Sequence, residues 1–205
     1  MAKNKPKQHH PTQINELRNS ILLKLLRDID IDDIISQYIS TNDKNILDVF
    51  CRTGVITIKI AKSYPFSQVV GMEDNQKFLK IAKTKRRRSM LPNLEIVSLA
   101  NLPTYTDYHD LVTLFFALSG RTETDIKKIL LAIKPTLKIR GKLLIVDFEP
   151  DKIDRAGLIL GLYLSLFYKK GSTFSFDTLL EETGYQIIKK QMVQGVTIIQ
   201  ASISN

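Results

Sequence analysis

Asp48 and Glu73 are the residues of this chain whose types and spacing point most directly to chemistry. Each belongs to an apolar stretch, Ile46-Leu47-Asp48-Val49 or Val69-Val70-Gly71-Met72-Glu73, that reads as a buried strand delivering an acid to its C-terminal end. Two parallel strands joined by a helix, each presenting a carboxylate there, suit a nucleoside ligand at the carboxyl edge of an open sheet. Between them lies the turn Phe50-Cys51-Arg52-Thr53-Gly54. Glycine serves such a turn by adopting positive φ or letting a ligand approach the backbone, and the Cβ and long side chain of Arg52 oppose both. A nicotinamide or flavin site needs a G-x-G-x-x-G turn, and no such triplet follows Leu47.

The elements that must position these acids alternate strand and helix. Strands are predicted near 45–50, 68–73, 94–98, 110–116 and 141–147, and helices near 54–63, 75–88, 122–134 and 152–169, with a short helix near 175–183. The continuous apolar runs Leu111-Val112-Thr113-Leu114-Phe115-Phe116 and Leu143-Leu144-Ile145-Val146 suit central parallel strands covered on both faces. Tyr185 to Val193 and Val196 to Ser202, separated by Gln194-Gly195, read as an antiparallel hairpin. Apolar residues at helical spacing from Gln13 to Tyr38 read as two helices meeting near Asp28 to Asp32. Gly54, Gly71, Gly141, Gly184 and Gly195 fall at predicted turns or element ends.

The segment Asp48-Val49-Phe50-Cys51-Arg52-Thr53-Gly54 resembles the first motif of the class I S-adenosylmethionine (SAM)-dependent methyltransferases, an acid followed by a turn of the type D-x-G-x-G-x-G. Tyr108-His109-Asp110-Leu111-Val112 resembles the family's fourth strand. Leu130-Leu131-Ala132-Ile133-Lys134-Pro135, followed by Gly141-Lys142-Leu143-Leu144-Ile145-Val146-Asp147, resembles its helix-to-strand passage. With Val146-Asp147-Phe148, Thr183-Gly184-Tyr185 and Gln194-Gly195, the pattern is nearest to quinone-biosynthesis-type small-molecule methyltransferases, and it covers roughly residues 44 to 203. The resemblance implies an α/β fold: a Rossmann-like seven-stranded, mostly parallel sheet with helices on both faces and an antiparallel C-terminal hairpin. It implies SAM as cofactor, S-adenosylhomocysteine as product and a small, lipophilic substrate. Cofactor contacts would fall on Asp48, Phe50, Cys51, Gly54, Glu73, Asp74, Leu99, Ala100 and Phe115. Glu73 would hold the ribose hydroxyls, and Asp48 would order the turn and help position the ammonium end.

Departures from the pattern frame the alternatives. Phe50 stands at the first glycine position, as in related RNA-modifying methyltransferases that read D-L-F-C-G-x-G, which keeps an RNA or protein methyltransferase as a second alternative. Arg52 stands at the next, and Leu99-Ala100 replaces the family's acid-alanine pair near the adenine. Arg52 and Leu99 together motivate the first alternative, a catalytically degenerate methyltransferase-like binding or scaffold subunit. Leu114-Phe115-Phe116-Ala117-Leu118 stands where amino-group methylases of bases carry N/D-P-P-Y/F/W, which lowers that reading. No catalytic residue is assigned: Asp147 and Glu149 are candidate bases near the carboxyl edge, and His109, placed before its strand, is expected at the opposite end.

A chain of 205 residues, 43% hydrophobic, can bury one substantial core. Residues 1–12 read as a flexible basic tail, 13–43 as an N-terminal helical cap and 44–205 as the methyltransferase-like domain. His9-His10 in that tail lacks further ligands, so no metal site is expected. The net charge of +9 favours polyanions. Its densest run, Lys83-Thr84-Lys85-Arg86-Arg87-Arg88, suits RNA or another polyanion, or else the C-terminal dipole of its own helix. One cysteine cannot form an internal disulfide, and Met1 to Pro11 hold no apolar secretory stretch, so a cytoplasmic setting is expected. Ala156 to Tyr168 is apolar on nearly every face. It is shorter than the roughly 20 residues a membrane span requires, and suits core burial, a partner or self-association.

Overall fold

Asn45–Val49 forms β1, whose last four residues are buried, as expected for an aliphatic strand covered on both faces. It pairs in parallel with β2 (Gln68–Glu73) on one side and β4 (His109–Phe115) on the other. The protein is described from a computed structural model for residues 29–118, 120–148, 174–193 and 195–204. The expectations for the tail 1–12 with His9-His10, for helical residues 13–28, for Glu149, for the helix 152–169 with its apolar face Ala156–Tyr168, and for Gln194 lie outside the described residues. The chain divides into two compact units, Met1–Asp30 and Ile31–Asn205, and the sheet belongs wholly to the second.

Outside β2 lies β3 (Leu94–Ser98), also parallel; beyond β4 lies parallel β5 (Leu137–Phe148). The chain closes with β6 (Tyr185–Val193) and β7 (Val196–Ile203), an antiparallel hairpin whose second strand pairs antiparallel with β5. Among the described residues the sheet has seven strands in the order β3-β2-β1-β4-β5-β7-β6. Strand order reverses between β1 and β4. That reversal opens a crevice at their carboxyl ends, the place where an open α/β sheet accepts ligands.

The described helices are α1 (Ile31–Tyr38), α2 (Val55–Ser63), α3 (Gln76–Ser89), α4 (Glu123–Ile133) and α5 (Phe176–Glu182). Local chemistry starts them where the ligand-edge loops end. The Asn75 side chain accepts from the N–H of Lys77 and Phe78, Thr122 accepts from Asp125 N, and Ser175 accepts from Asp177 N. Helices cover both faces. Ile126, Leu130 and Ile133 of α4 and Phe176, Leu179 and Leu180 of α5 share a core with Leu47, Val49, Val112 and Leu114. On the other face Thr57 of α2 bonds Asp48, while the Tyr64 hydroxyl donates to the carbonyls of Ile35 and Ile39 and ties α1 to the end of α2.

Two glycines differ from their sequence expectation. Gly71 lies inside β2 and Gly141 inside β5, which begins at Leu137 instead of near residue 141. At Gly141 a Cβ would meet the His109 carbonyl oxygen at 2.8 Å and that of Lys138 at 2.9 Å, beside the irregular register of β4 and β5 after His109. A glycine that accommodates an irregular strand thus carries the same sequence mark as one that ends it. At Gly71 a Cβ would meet Ile96 Cδ1 at 2.7 Å, Thr57 Cγ2 at 3.0 Å and Cys51 Sγ at 3.1 Å. Gly71→Val is therefore expected to overpack this layer at a cost of about 1–3 kcal/mol. Thermal unfolding checks this, since about 1 kcal/mol moves the midpoint of a domain this size by roughly 2–4 °C.

Candidate functional site

The turn after β1 repeats one backbone conformation at alternate residues: φ is 57° at Phe50, 53° at Arg52 and 73° at Gly54. The left-handed geometry that glycine provides in such a turn is kept, although only the third position is glycine. A residue with a Cβ pays roughly 1–2 kcal/mol for that conformation, so the surroundings must hold it. Cys51 N donates to Met72 O at 2.9 Å, Gly54 N to Cys51 O at 2.9 Å, and Arg52 N to Glu73 Oε2 at 2.7 Å.

Glu73, the last residue of β2, is the centre of this arrangement. Its other oxygen, Oε1, accepts from Asn75 N at 2.8 Å, so one carboxylate pins both the β1 turn and the start of α3. Burial pushes its carboxyl up to about 7, and the neighbouring Asp74 adds to the rise against the two amide hydrogen bonds. Asp48 faces inward. Its Oδ2 accepts from Thr57 Oγ1 at 2.5 Å and its Oδ1 from Thr113 Oγ1 at 3.0 Å, which joins β1 to α2 and β4. Burial raises this carboxyl to about 6, with the two hydroxyls opposing. Cys51 is buried beside both acids; burial first, then their charge, drives its thiol pKa far up, which leaves it an apolar packing group and not a nucleophile.

Asp74 is exposed next to Glu73. The register pairing of Glu73 with Ser98 brings the end of β3 alongside, and a 3-10 helix, Leu99–Thr104, follows directly. Leu99 packs against the core, while Ala100 is exposed and its N–H donates to Ser98 Oγ. Phe115 is buried as the last residue of β4. The structure thus brings Asp48, Phe50, Cys51, Gly54, Glu73, Asp74, Leu99, Ala100 and Phe115 to the carboxyl ends of four adjacent parallel strands.

The turn after β4 contains contacts that the sequence did not signal. Phe116 adopts φ 50°, its N–H bonds Val146 O at 2.8 Å, and its ring lies 5.7 Å from that of Phe148. The Arg52 guanidinium, from the β1 turn, donates to the Phe116 carbonyl. Reciprocally, Arg121 donates from Nε to Ala117 O at 2.8 Å and lays its guanidinium over the Phe50 ring, 4.2 Å from the centroid. Asp147, a candidate base, sits at this edge but is buried, with Oδ2 accepting from Leu118 N at 2.6 Å and Oδ1 from Phe148 N at 2.8 Å. It braces the turn. His109 is the first residue of β4, so it lies within the strand and not before it, at the end away from the crevice. It is buried against the rings of Tyr105 and Tyr108, and that burial lowers its pKa to about 4.

The basic run occupies the second half of α3. Lys85 donates to Thr53 Oγ1 and Arg86 to Leu94 O, whereas Lys83, Arg87 and Arg88 are exposed. Arg86, Arg87 and Arg88 fill the last helical turn, where cations meet the helix dipole favourably. Among the described residues no helix is long and apolar enough to cross a membrane.

Strand order, terminal hairpin and acid placement together define a doubly wound methyltransferase-type domain. Its solved structural neighbours include the mitomycin 7-O-methyltransferase MmcR, which superposes with a TM-score of 0.77 at 19% identity over 96% of this chain and 59% of that one. Another is the O-methyltransferase NcsB1 of neocarzinostatin biosynthesis, solved with SAM and 2-hydroxy-5-methyl naphthoic acid, with a TM-score of 0.73 at 14% identity over 94% of this chain and 58% of that one. The chain belongs to the ubiE/COQ5 methyltransferase family, whose model matches residues 16–174. The demethylmenaquinone methyltransferase of Thermotoga maritima is 25% identical over 146 residues, which are 70% of this chain and 62% of that protein. The ubiquinone/menaquinone biosynthesis C-methyltransferase UbiE of Pectobacterium atrosepticum is 29% identical over 126 residues, 59% of this chain and 49% of that protein. The matched segments thus span about half to three fifths of the length of these two relatives.

Proposed function

We propose that the chain binds SAM at the carboxyl edge of β1, β2 and β4 and transfers its methyl group to a small, lipophilic acceptor of the quinone-precursor class. Family membership and the names of the relatives support the class of reaction. The observation that carries the cofactor assignment is Glu73. An ionised carboxylate offers about four lone-pair positions. The amides of Arg52 and Asn75 use two, which leaves each oxygen able to accept from one hydroxyl of a ribose diol.

The nucleoside end of SAM therefore fits the residues present. Leu99 and Ala100 flank the adenine side with backbone and apolar contacts, while Phe50, Cys51 and Gly54 supply the turn. Asp48 acts through that turn, because both its oxygens are held by threonine hydroxyls. SAM, when bound, supplies a sulfonium methyl to a nucleophile held in line with it. This chain's part is then positioning and not proton transfer, since Asp147 is committed to two backbone amides and His109 lies at the far end of β4. The test is methyl transfer from labelled SAM with an aromatic quinone precursor or with RNA as acceptor. Label is expected in the quinone precursor and not in RNA; transfer to RNA alone would overturn the acceptor assignment.

A further inference from the structure

Resting on this cofactor reading, one feature of the crevice opposes it. Arg52 and Phe116 stand on the two turns that flank the strand-order reversal, and the Arg52 side chain bridges them. Arg121 bridges the same pair in the other direction, from the β4 turn to the Phe50 ring. Each turn thus sends one guanidinium to the other. The successive carbonyls of Phe116 and Ala117 each accept from one of these cations. Three of the five non-glycine residues with positive φ among the described residues, Phe50, Arg52 and Phe116, lie at the same crossing. Strained backbone of this kind persists where the surroundings over-determine it and concentrates at ligand clamps.

The amino-acid arm of SAM carries an ammonium group and adjoins a positive sulfonium. A cation of that kind entering beside the β4 turn needs carbonyl acceptors, and here two arginines already donate to them. It also meets the fixed charge of Arg52. We infer that Arg52 is a built-in occupant of the amino-acid end of the cofactor crevice, and that SAM enters only in the fraction of molecules in which Arg52 has left Phe116. The crevice consequently discriminates among adenine nucleosides by what they carry at the 5′ position. A neutral thioether without the amino-acid arm has no need to displace Arg52, whereas SAM does.

The apparent affinity of a ligand falls by the fraction of protein competent to bind it. A charge-assisted hydrogen bond of ordinary strength is enough to reduce that fraction roughly ten- to a hundredfold. The experiment is calorimetric titration of the wild type and Arg52→Gly with SAM and with 5′-methylthioadenosine, which shares the nucleoside but lacks the arm and its charges. SAM is expected to bind Arg52→Gly about ten- to a hundredfold more tightly than wild type, with methylthioadenosine unchanged within about twofold. Equal changes for both ligands would mean that Arg52 only shapes the turn, and would overturn the inference while leaving the cofactor reading intact. Unchanged SAM affinity overturns it equally. Absence of binding by either ligand to either protein overturns the cofactor reading and this inference together. Arg52→Asn, whose side chain tolerates the left-handed conformation, gives the same readout should the glycine variant fail to fold.

Discussion

Glu73→Ala is expected to weaken SAM binding by roughly a hundredfold, the largest loss of any single substitution at the edge. The figure follows from two charge-assisted hydrogen bonds to a ribose diol, each worth at least about 1.5 kcal/mol. Alanine also leaves the amides of Arg52 and Asn75 without their acceptor, so Glu73→Gln is the companion variant. It keeps a carbonyl oxygen for one amide, removes the charge and is expected to bind with intermediate affinity. A further consequence comes from the raised carboxyl. Because Glu73 is held up to about 7, binding that needs its ionised form should strengthen about tenfold per pH unit as pH rises towards 7, then level off. Glu73→Gln should lack that slope. Titrations from pH 5.5 to 8.5 read both effects, and an alanine variant that binds SAM as tightly as wild type would remove Glu73 from the site.

The sheet was legible because its central strands are apolar without interruption. Leu111 to Phe115 are buried throughout, and the acids that close β1 and β2 mark which end of each strand faces the crevice. Local pattern failed where a residue's meaning depends on what lies across from it. Gly141 reads as a turn until the His109 carbonyl is placed against it, and Leu99–Thr104 carries no periodicity that announces a 3-10 helix. The same limit governs the site. Alternation of 50, 52 and 54 in the β1 turn could be read from the spacing, and with it the conflict at Arg52. The destination of that side chain could not, because Phe116 lies 64 residues away in sequence and becomes a neighbour only through the pairing of β1 with β4. Arg121 gave no signal at all: an arginine after Gly120 looks like solvated surface until Phe50 is brought beneath it.

Asp48→Asn is expected to change the pH dependence of stability more than its value at any one pH. The wild-type carboxyl is buried between Thr57 and Thr113 and held near 6, above the ordinary 3.8. A carboxyl whose folded pKa is raised binds more protons in the folded state, so its contribution is complete below about 3.8 and is lost as pH rises through 6. The loss approaches roughly 3 kcal/mol at full ionisation, from about 1.4 kcal/mol per pKa unit. Asparagine cannot ionise, and both threonine hydroxyls can rotate to suit it, since each can donate or accept. His109 titrates with the opposite sign: its pKa is lowered to about 4, so its contribution is lost as pH falls from 6.5 towards 4. Both proteins share that slope, so it cancels in their difference. Urea unfolding of wild type and Asp48→Asn between pH 4 and pH 8 should therefore show the difference moving in favour of the variant as pH rises. A difference that stays constant across this range would place Asp48 at the ordinary carboxylate value and remove the buried charge as a cost that the β1 turn has to carry.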